Sequence, residues 1–479
     1  MIDNTENFLD DDALMLVSRF EEMIKAEQLY YFDVHEFECI IDHYIEKDKF
    51  SEAVKVSNIA SKQHPSAVSL QIKKAQILVN RGQHLEALSI LKKIQSIEAT
   101  NKEIFLLKGN IYNILGKHHS AKKQFDEALR ISFENREDLL FRIALAFEQL
   151  NQFDLAIGYL EEALKLNPED SEVLFELGYC YEKTGQDKKS INAYQSFLDI
   201  NPFSDNAWYN IGIVYNRLGD FEKAIDAYEF ALAVNDQHSK AYFNKANALA
   251  NSGKYEEAIK CYTEYLDFDD DHASTYSYIG ECFEKLNEYE QALINYETAI
   301  KTNENFPEPW FGMGLILLYQ EKIDECLVYL EKAKKLDDTN PDYWFALGSA
   351  YTQAQSPQKA VQAFREAIDL DPYDSTYSIT LAEYYHQNEK EETAIDVLLE
   401  SLTYNPDCPQ LLNNLAAYYM LTDDLNASEH YIRKVMNIDP KRIDDIFLQF
   451  PELKDNQTFN KLIQANSINS TDRSPKYRG

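Results

Sequence analysis

The chain has 479 residues, 45% hydrophobic and 27% charged, with 14 glycines, 13 prolines and a formal net charge of −34. That balance is the one of a folded chain, and so little glycine and proline argues against long loops and all-β folds. The acidity repels phosphate backbones and so argues against nucleic acid as a direct partner.

The charge is unevenly spread. Residues 1–33 carry net −7, residues 34–136 net +4, residues 137–442 net −31, and residues 443–479 balance. The acidic stretch either attracts a basic partner or keeps the chain in solution. None of the six cysteines (Cys39, Cys180, Cys261, Cys282, Cys326, Cys408) forms a CxxC pair, so zinc-site spacing is missing. The start has neither the basic nor the apolar region of a secretory signal. No stretch approaches the roughly 18 apolar residues of a membrane helix, so no membrane insertion is expected. These features point to a cytoplasmic protein with reduced thiols.

In chain order, the first predicted element is an acidic capping segment, 1–33. Its helix is expected over Asp11–Tyr31, with Leu14, Val17, Phe20, Ile24 and Leu29 on one side. From residue 34 a period of 34 takes over. Pro168 and Pro202 are 34 apart, as are Pro372, Pro406 and Pro440. The phase gives about twelve units: 34–67, 68–101, 102–136, 137–170, 171–204, 205–238, 239–272, 273–306, 307–340, 341–374, 375–408 and 409–442, the third one residue longer. A fixed period of this length is the signature of a repeat architecture, in which each unit packs only on its neighbours.

Each unit reads as two helices. In the unit starting at 205, positions 4, 7 and 11 are Trp208, Ile211 and Tyr215, one face of a helix, with the small Gly212 at position 8. Positions 20, 24 and 27 of the second helix are Ala224, Tyr228 and Ala231. Position 8 is Gly or Ala in every unit except the first, which has Ile41, and small residues there let paired helices approach closely. Position 15 is Gly or Asn from Gly82 to Asn287, suited to the left-handed residue that closes a helix. Glu321, Gln355, Glu389 and Asp423 take that place later, which predicts looser turns. After the array, Arg442–Phe450 and Thr458–Ala465 are expected to close it as capping helices within 443–465, and 466–479 to be a disordered tail.

At these positions the chain resembles the tetratricopeptide repeat family: large at 4, small at 8, aromatic or leucine at 11, Ala at 20, aromatic or leucine at 24, Ala at 27, Pro at 32. The match runs over 34–442. The resemblance implies an all-α fold, a right-handed superhelical α-solenoid with helical caps. It also implies that the first helices line a concave groove, with positions 2, 5, 9 and 12 toward the ligand. Position 5 reads Phe141, Phe175, Tyr209, Phe243, Ser277, Phe311 and Phe345. Such rings either anchor a ligand or pack against a neighbouring helix. Asn206, Asn210, Asn244, Asn247 and Arg217 stand near them, suited to an extended peptide backbone. The implied function is a protein-interaction scaffold or adaptor that binds a protein or peptide segment, possible basic partners included, in the groove. The alternative is a regulatory or assembly subunit engaged through its ends or convex face. Two modes of the family do not match. The carboxylate clamp needs Lys at position 5, and no unit has it. The asparagine ladder of the O-linked N-acetylglucosamine transferases is reduced to Asn210, Asn244 and Asn414, with no sugar-transfer domain after it.

Catalytic constellations are missing. HExxH and Walker A do not occur, and a GxGxxG would need glycine where Leu317 follows Gly312 and Gly314. His118 and His119 are adjacent and point to different sides of a helix. Asp267, Asp269 and Asp271 imitate the start of a calcium loop, but His272 and Tyr278 stand where its Gly and bidentate Glu belong. No enzyme, cofactor or metal is therefore expected.

Overall fold

A computed structural model describes residues 3–132, 135–268 and 272–471, with side chains described between 14 and 466. Among the described residues the regular structure is entirely helical. The chain divides into two compact units, residues 1–241 and 242–479. In the first, six antiparallel helix pairs run from Val34–Glu46 with Phe50–Gln63 to Asp205–Arg217 with Phe221–Val234. In the second, the pairs run from Ser239–Asn251 with Tyr255–Tyr265 to Pro409–Leu421 with Leu425–Ile438.

Where position 8 is glycine, the pair is set by one close approach. A Cβ on Gly212 would lie 2.5 Å from the Tyr228 ring, one on Gly178 2.8 Å from Tyr194, one on Gly280 2.6 Å from Tyr296 and one on Gly348 2.5 Å from Phe364. Glycine at position 8 is thus the socket for the ring at position 24. Tyr194, Tyr228 and Tyr296 are less than 2% exposed there. The first pair explains its own exception. Ile41 at position 8 is buried, and position 24 is the small, buried Ser57, so the large and small partners have exchanged helices.

The turns are uniform. Position 15 has positive φ throughout: +76° at Gly82, 56° at Asn151, 62° at Asn287, and likewise 59° at Glu321, 50° at Gln355, 57° at Glu389 and 59° at Asp423. The looser turns expected in the last repeats are not seen. The non-glycine residues accept the left-handed conformation instead, at about 1–2 kcal/mol each. Several first helices start on side-chain caps at position 34 of the preceding repeat. Asp170, Ser204, Asn340 and Asp374 accept hydrogen bonds from the first backbone N–H groups. Trp208, Trp310 and Trp344 then donate their indole N–H to the carbonyls of Pro202, Glu304 and Asp338, at 3.0, 3.1 and 2.8 Å. Each tryptophan so pins its helix to the preceding inter-repeat turn.

The ends differ from expectation. The first helix is Asp3–Lys25 and stops at Glu27, whose φ is 51°. Val17, Phe20 and Met23 are its buried residues, whereas Leu14, Ile24 and Leu29 are 52%, 47% and 86% exposed. Phe32, on the extended strap that follows, is buried and takes the Arg19 guanidinium over its ring at 4.6 Å. At the other end, short turns at Pro440–Asp445 and Pro451–Asp455 flank the helix Ile446–Gln449, and Gln457–Thr471 closes the unit. Ile443, Ile446, Phe450, Leu453 and Phe459 pack on the last pair. Helix therefore continues through 466–471, where a disordered tail was expected, and Asn466 accepts from Arg433 at 3.2 Å. Residues 472–479 lie outside the described residues, as do Asp269 and Asp271 of the calcium-like run.

Two outcomes follow. Gly212→Val should cost about 1–3 kcal/mol by urea denaturation, because the Tyr228 ring must move; an unchanged midpoint would contradict the socket. Glu321→Gly and Glu389→Gly should each raise stability by about 0.5–1 kcal/mol, the relief of the left-handed strain less the added chain entropy. Glu325→Gly, placed within a helix, should lower it.

Candidate functional site

The first-helix face of each unit is built from the residues that the socket leaves over. Position 5 does not stand free. Phe175 meets the rings of Tyr194 and Phe197 at 5.6 and 5.2 Å, and Tyr209 those of Tyr228 and His238 at 5.9 and 4.6 Å. Phe243 meets Tyr262, Tyr265 and Tyr278 at 6.0, 5.1 and 5.7 Å. Phe311 meets Tyr343 at 4.7 Å, and Phe345 meets Phe364 and Tyr377 at 5.8 and 5.2 Å. Phe141 packs on the core of the first unit. All six rings are half-buried, so of the two roles left open by the sequence, packing is the one these contacts display.

The polar residues divide similarly. Asn206 is exposed and Asn244 half-buried. Asn210 donates its amide N–H to the Tyr194 hydroxyl at 3.1 Å, and Asn247 accepts from the Tyr262 hydroxyl. Tyr296 donates to Glu284 at 3.0 Å. The socket tyrosines thus reach through the core and offer their hydroxyls to the first-helix face. Arg217 is held by Asp187 and lies 4.0 Å from the nearly buried Glu182, which Lys183 also meets at 3.0 Å.

Sequence reasoning passed over the carboxyls of this face. In the first unit Glu148 and Glu176 are half-buried and share a hydrogen bond. Burial, then the charge of Glu176, pushes the Glu148 carboxyl up to about 7, and burial raises Glu176 as well. One proton serves the pair. In the second unit burial, then Glu284, pushes Glu281 up to about 7. Glu281 lies in a pocket of about 330 Å³ with Asn247, Asn251, Tyr255, Tyr262, Tyr278, Cys282 and Lys285. No positional signal could have singled these acids out among 81. Only their neighbours in space set them apart.

The arrangement suits recognition more than bond-making. Burial raises the thiols of Cys180, Cys282 and Cys326, Cys282 to about 12 and Cys326 to about 11, which disfavours the nucleophilic thiolate. Among the described residues no three His, Cys, Asp or Glu side chains are placed to hold a metal ion, and no helix is long and apolar enough to cross a membrane. A second, open cleft of about 520 Å³ in the first unit is lined mainly by second-helix residues, with Trp208 stacked on Phe230 at 4.6 Å.

Fold and face together define an α-helical repeat protein built from two-helix units. Sequence profiles of the tetratricopeptide repeat match residues 141–205, 209–273, 246–308 and 311–375, and a second set matches 103–135 and 409–442. The chain belongs to the tetratricopeptide repeat family. Comparison with curated proteins finds no match. Among solved structures, MamA is 25% identical over 34% of this chain and 95% of its own, with a TM-score of 0.33. YrrB, described as a TPR protein with an unusual peptide-binding site, is 22% identical over 41% and 98%, with a TM-score of 0.32. A tetratricopeptide repeat protein from Parabacteroides merdae is 19% identical over 52% and 98%, with a TM-score of 0.37.

The Glu148–Glu176 pair makes a pH prediction. A carboxyl that binds its proton more tightly in the folded state contributes stability that is whole below its unfolded pKa and is lost as pH rises through the folded one. With Glu148 raised from 4.5 to about 7, wild-type Tm should fall between about pH 4.5 and 7.5. In Glu148→Gln that part of the fall should vanish; parallel falls would contradict the shared proton.

Proposed function

We propose that the chain is a protein-interaction scaffold whose first-helix groove binds an extended, basic segment of a partner protein. Tetratricopeptide repeats as a class serve protein–protein interaction. The observation that carries the reading here is the half-buried carboxyl pair Glu148 and Glu176, raised by burial within the first-helix face of the first unit. A carboxyl kept out of water without a cation is costly, and a partner's cation relieves that cost. On this reading the exposed Asn206 of the first unit and Asn251 of the second each meet the partner's backbone. The position-5 rings shape the groove from below. Six cysteine thiols, none in a disulfide, fit a reducing, cytoplasmic setting, and catalysis forms no part of the reading.

A second reading, an assembly subunit engaged through its other face, is favoured by the Trp208–Phe230 cleft. Phe203 and Phe230 remain 84% and 53% exposed in that unit, and exposed aromatic anchors mark interfaces.

Affinity purification from the native cell separates the two. Asn206→Arg/Asn251→Arg should strip the main partner, and the partner should be salt-labile, while Phe203→Ser/Phe230→Ser should retain it. The reverse pattern would overturn the groove and support the second reading. Substituting Phe175 or Phe243 is the poorer test, since loss of a packed ring costs stability by itself.

A further inference from the structure

The pocket around Glu281 is more selective than a generally acidic groove. It is small for a ligand site, which suits one side chain. Its walls come from three successive helices of the second unit: Asn247 and Asn251 from Ser239–Asn251, Tyr255 and Tyr262 from Tyr255–Tyr265, and Tyr278, Glu281, Cys282 and Lys285 from Ala273–Lys285. The rings of Tyr262 and Tyr278 lie nearly parallel, 12° apart, with centroids 5.7 Å apart. Tyr262 is buried and its hydroxyl is spent on Asn247, while Tyr278 is half-exposed.

The charges facing Glu281 are Glu284 and Lys285 on its own helix and Glu308 on Pro307–Tyr319, the first helix of the next pair. Cys282 and Tyr278 beside it, and Tyr262 across the pocket, hold their protons more tightly through burial and add no charge. Lys285 lowers the carboxyl's proton affinity, but burial, Glu284 and Glu308 outweigh it. Among the described residues no hydrogen bond or ion pair ends on the Glu281 carboxylate, although its side chain is open to solvent. The pocket therefore presents an aromatic wall, an amide and one unanswered acid.

We propose that this pocket receives an arginine side chain of the bound segment, its guanidinium against the Tyr278 ring and paired with the Glu281 carboxylate. Arginine fits better than lysine because its planar, weakly hydrated head both stacks on a ring and forks onto a carboxylate. The inference rests on the groove reading and adds to it the residue that the partner must supply. It also carries a proton linkage. Glu281 must ionise to pair, so arginine binding releases a proton, and affinity rises with pH through about 7.

The test uses the full chain and three acetylated pentapeptides that differ only at the centre: arginine, citrulline (the same shape without charge) or lysine. Binding is read by ligand-observed NMR titration. The arginine peptide should bind about tenfold more tightly than citrulline, with lysine between them. Its affinity should rise from pH 6 to pH 8 as Glu281 ionises. Glu281→Gln, which removes only the charge, should abolish both effects, while Glu325→Gln, on a second helix, should leave them intact. Equal binding of arginine and citrulline, or an unchanged preference in Glu281→Gln, overturns the proposal. If the preference fails while Asn206→Arg/Asn251→Arg still strips the partner, only the arginine pocket falls. If it holds while that substitution leaves the partner bound, the groove reading falls and the pocket stands.

Discussion

The contact on which the rest of the molecule depends is the seating of a second-helix ring against a first-helix glycine. Where Tyr228 lies on Gly212, or Phe364 on Gly348, no side chain intervenes, and the two helices sit as near as a ring's thickness permits. Repetition of that seat spaces the pairs evenly, so residues at fixed repeat positions come to fixed places on the surface. In three repeats a tyrosine at the ring's position also delivers a hydroxyl, one of them over Ala246 in place of glycine. Tyr194, Tyr262 and Tyr296 cross the core and end on Asn210, Asn247 and Glu284. Packing and recognition thereby share a residue, and changing its ring for another shape would disturb both.

The same economy explains why carboxyls can be held in poor solvation. A lone helix leaves its acids in water. Between two neighbouring first helices, Glu148 and Glu176 lose enough water that one proton must be kept between them. Glu182, with Lys183 and Arg217 beside it, shows the alternative solution a few residues away. The face therefore contains both answered and unanswered acids, and only the second kind has free energy to gain from a visiting cation.

What could be read beforehand follows from how often a feature recurs. The 34-residue period averages over many copies, so Gly212 and Ala224 were legible as close-approach positions although neither is conspicuous alone. Single-copy features had no such help. The first helix ran Asp3–Lys25 and buried Met23, where the expected face had Leu14, Ile24 and Leu29. Apolar spacing there fits several registers, and only the docking of Phe32 selects among them. The position-5 rings were legible as a stripe, but not their depth, because Phe243 is covered by Tyr262, Tyr265 and Tyr278 from two helices. Glu281 was invisible for the opposite reason: acids are everywhere, and desolvation is a property of neighbours in space.

The left-handed residue at position 15 reaches further than turn geometry. Within the second unit, Gly253 and Asn287 adopt it with little strain, whereas Glu321, Gln355, Glu389 and Asp423 do so against their own preference. In a linear array each hairpin forms semi-independently and is stabilised by its neighbours. The later hairpins therefore begin with a handicap that only stacking offsets. Transient opening is biased toward that part of the unit, and its capping helix, seated on the last pair, acts as the latch that decides how often fraying starts.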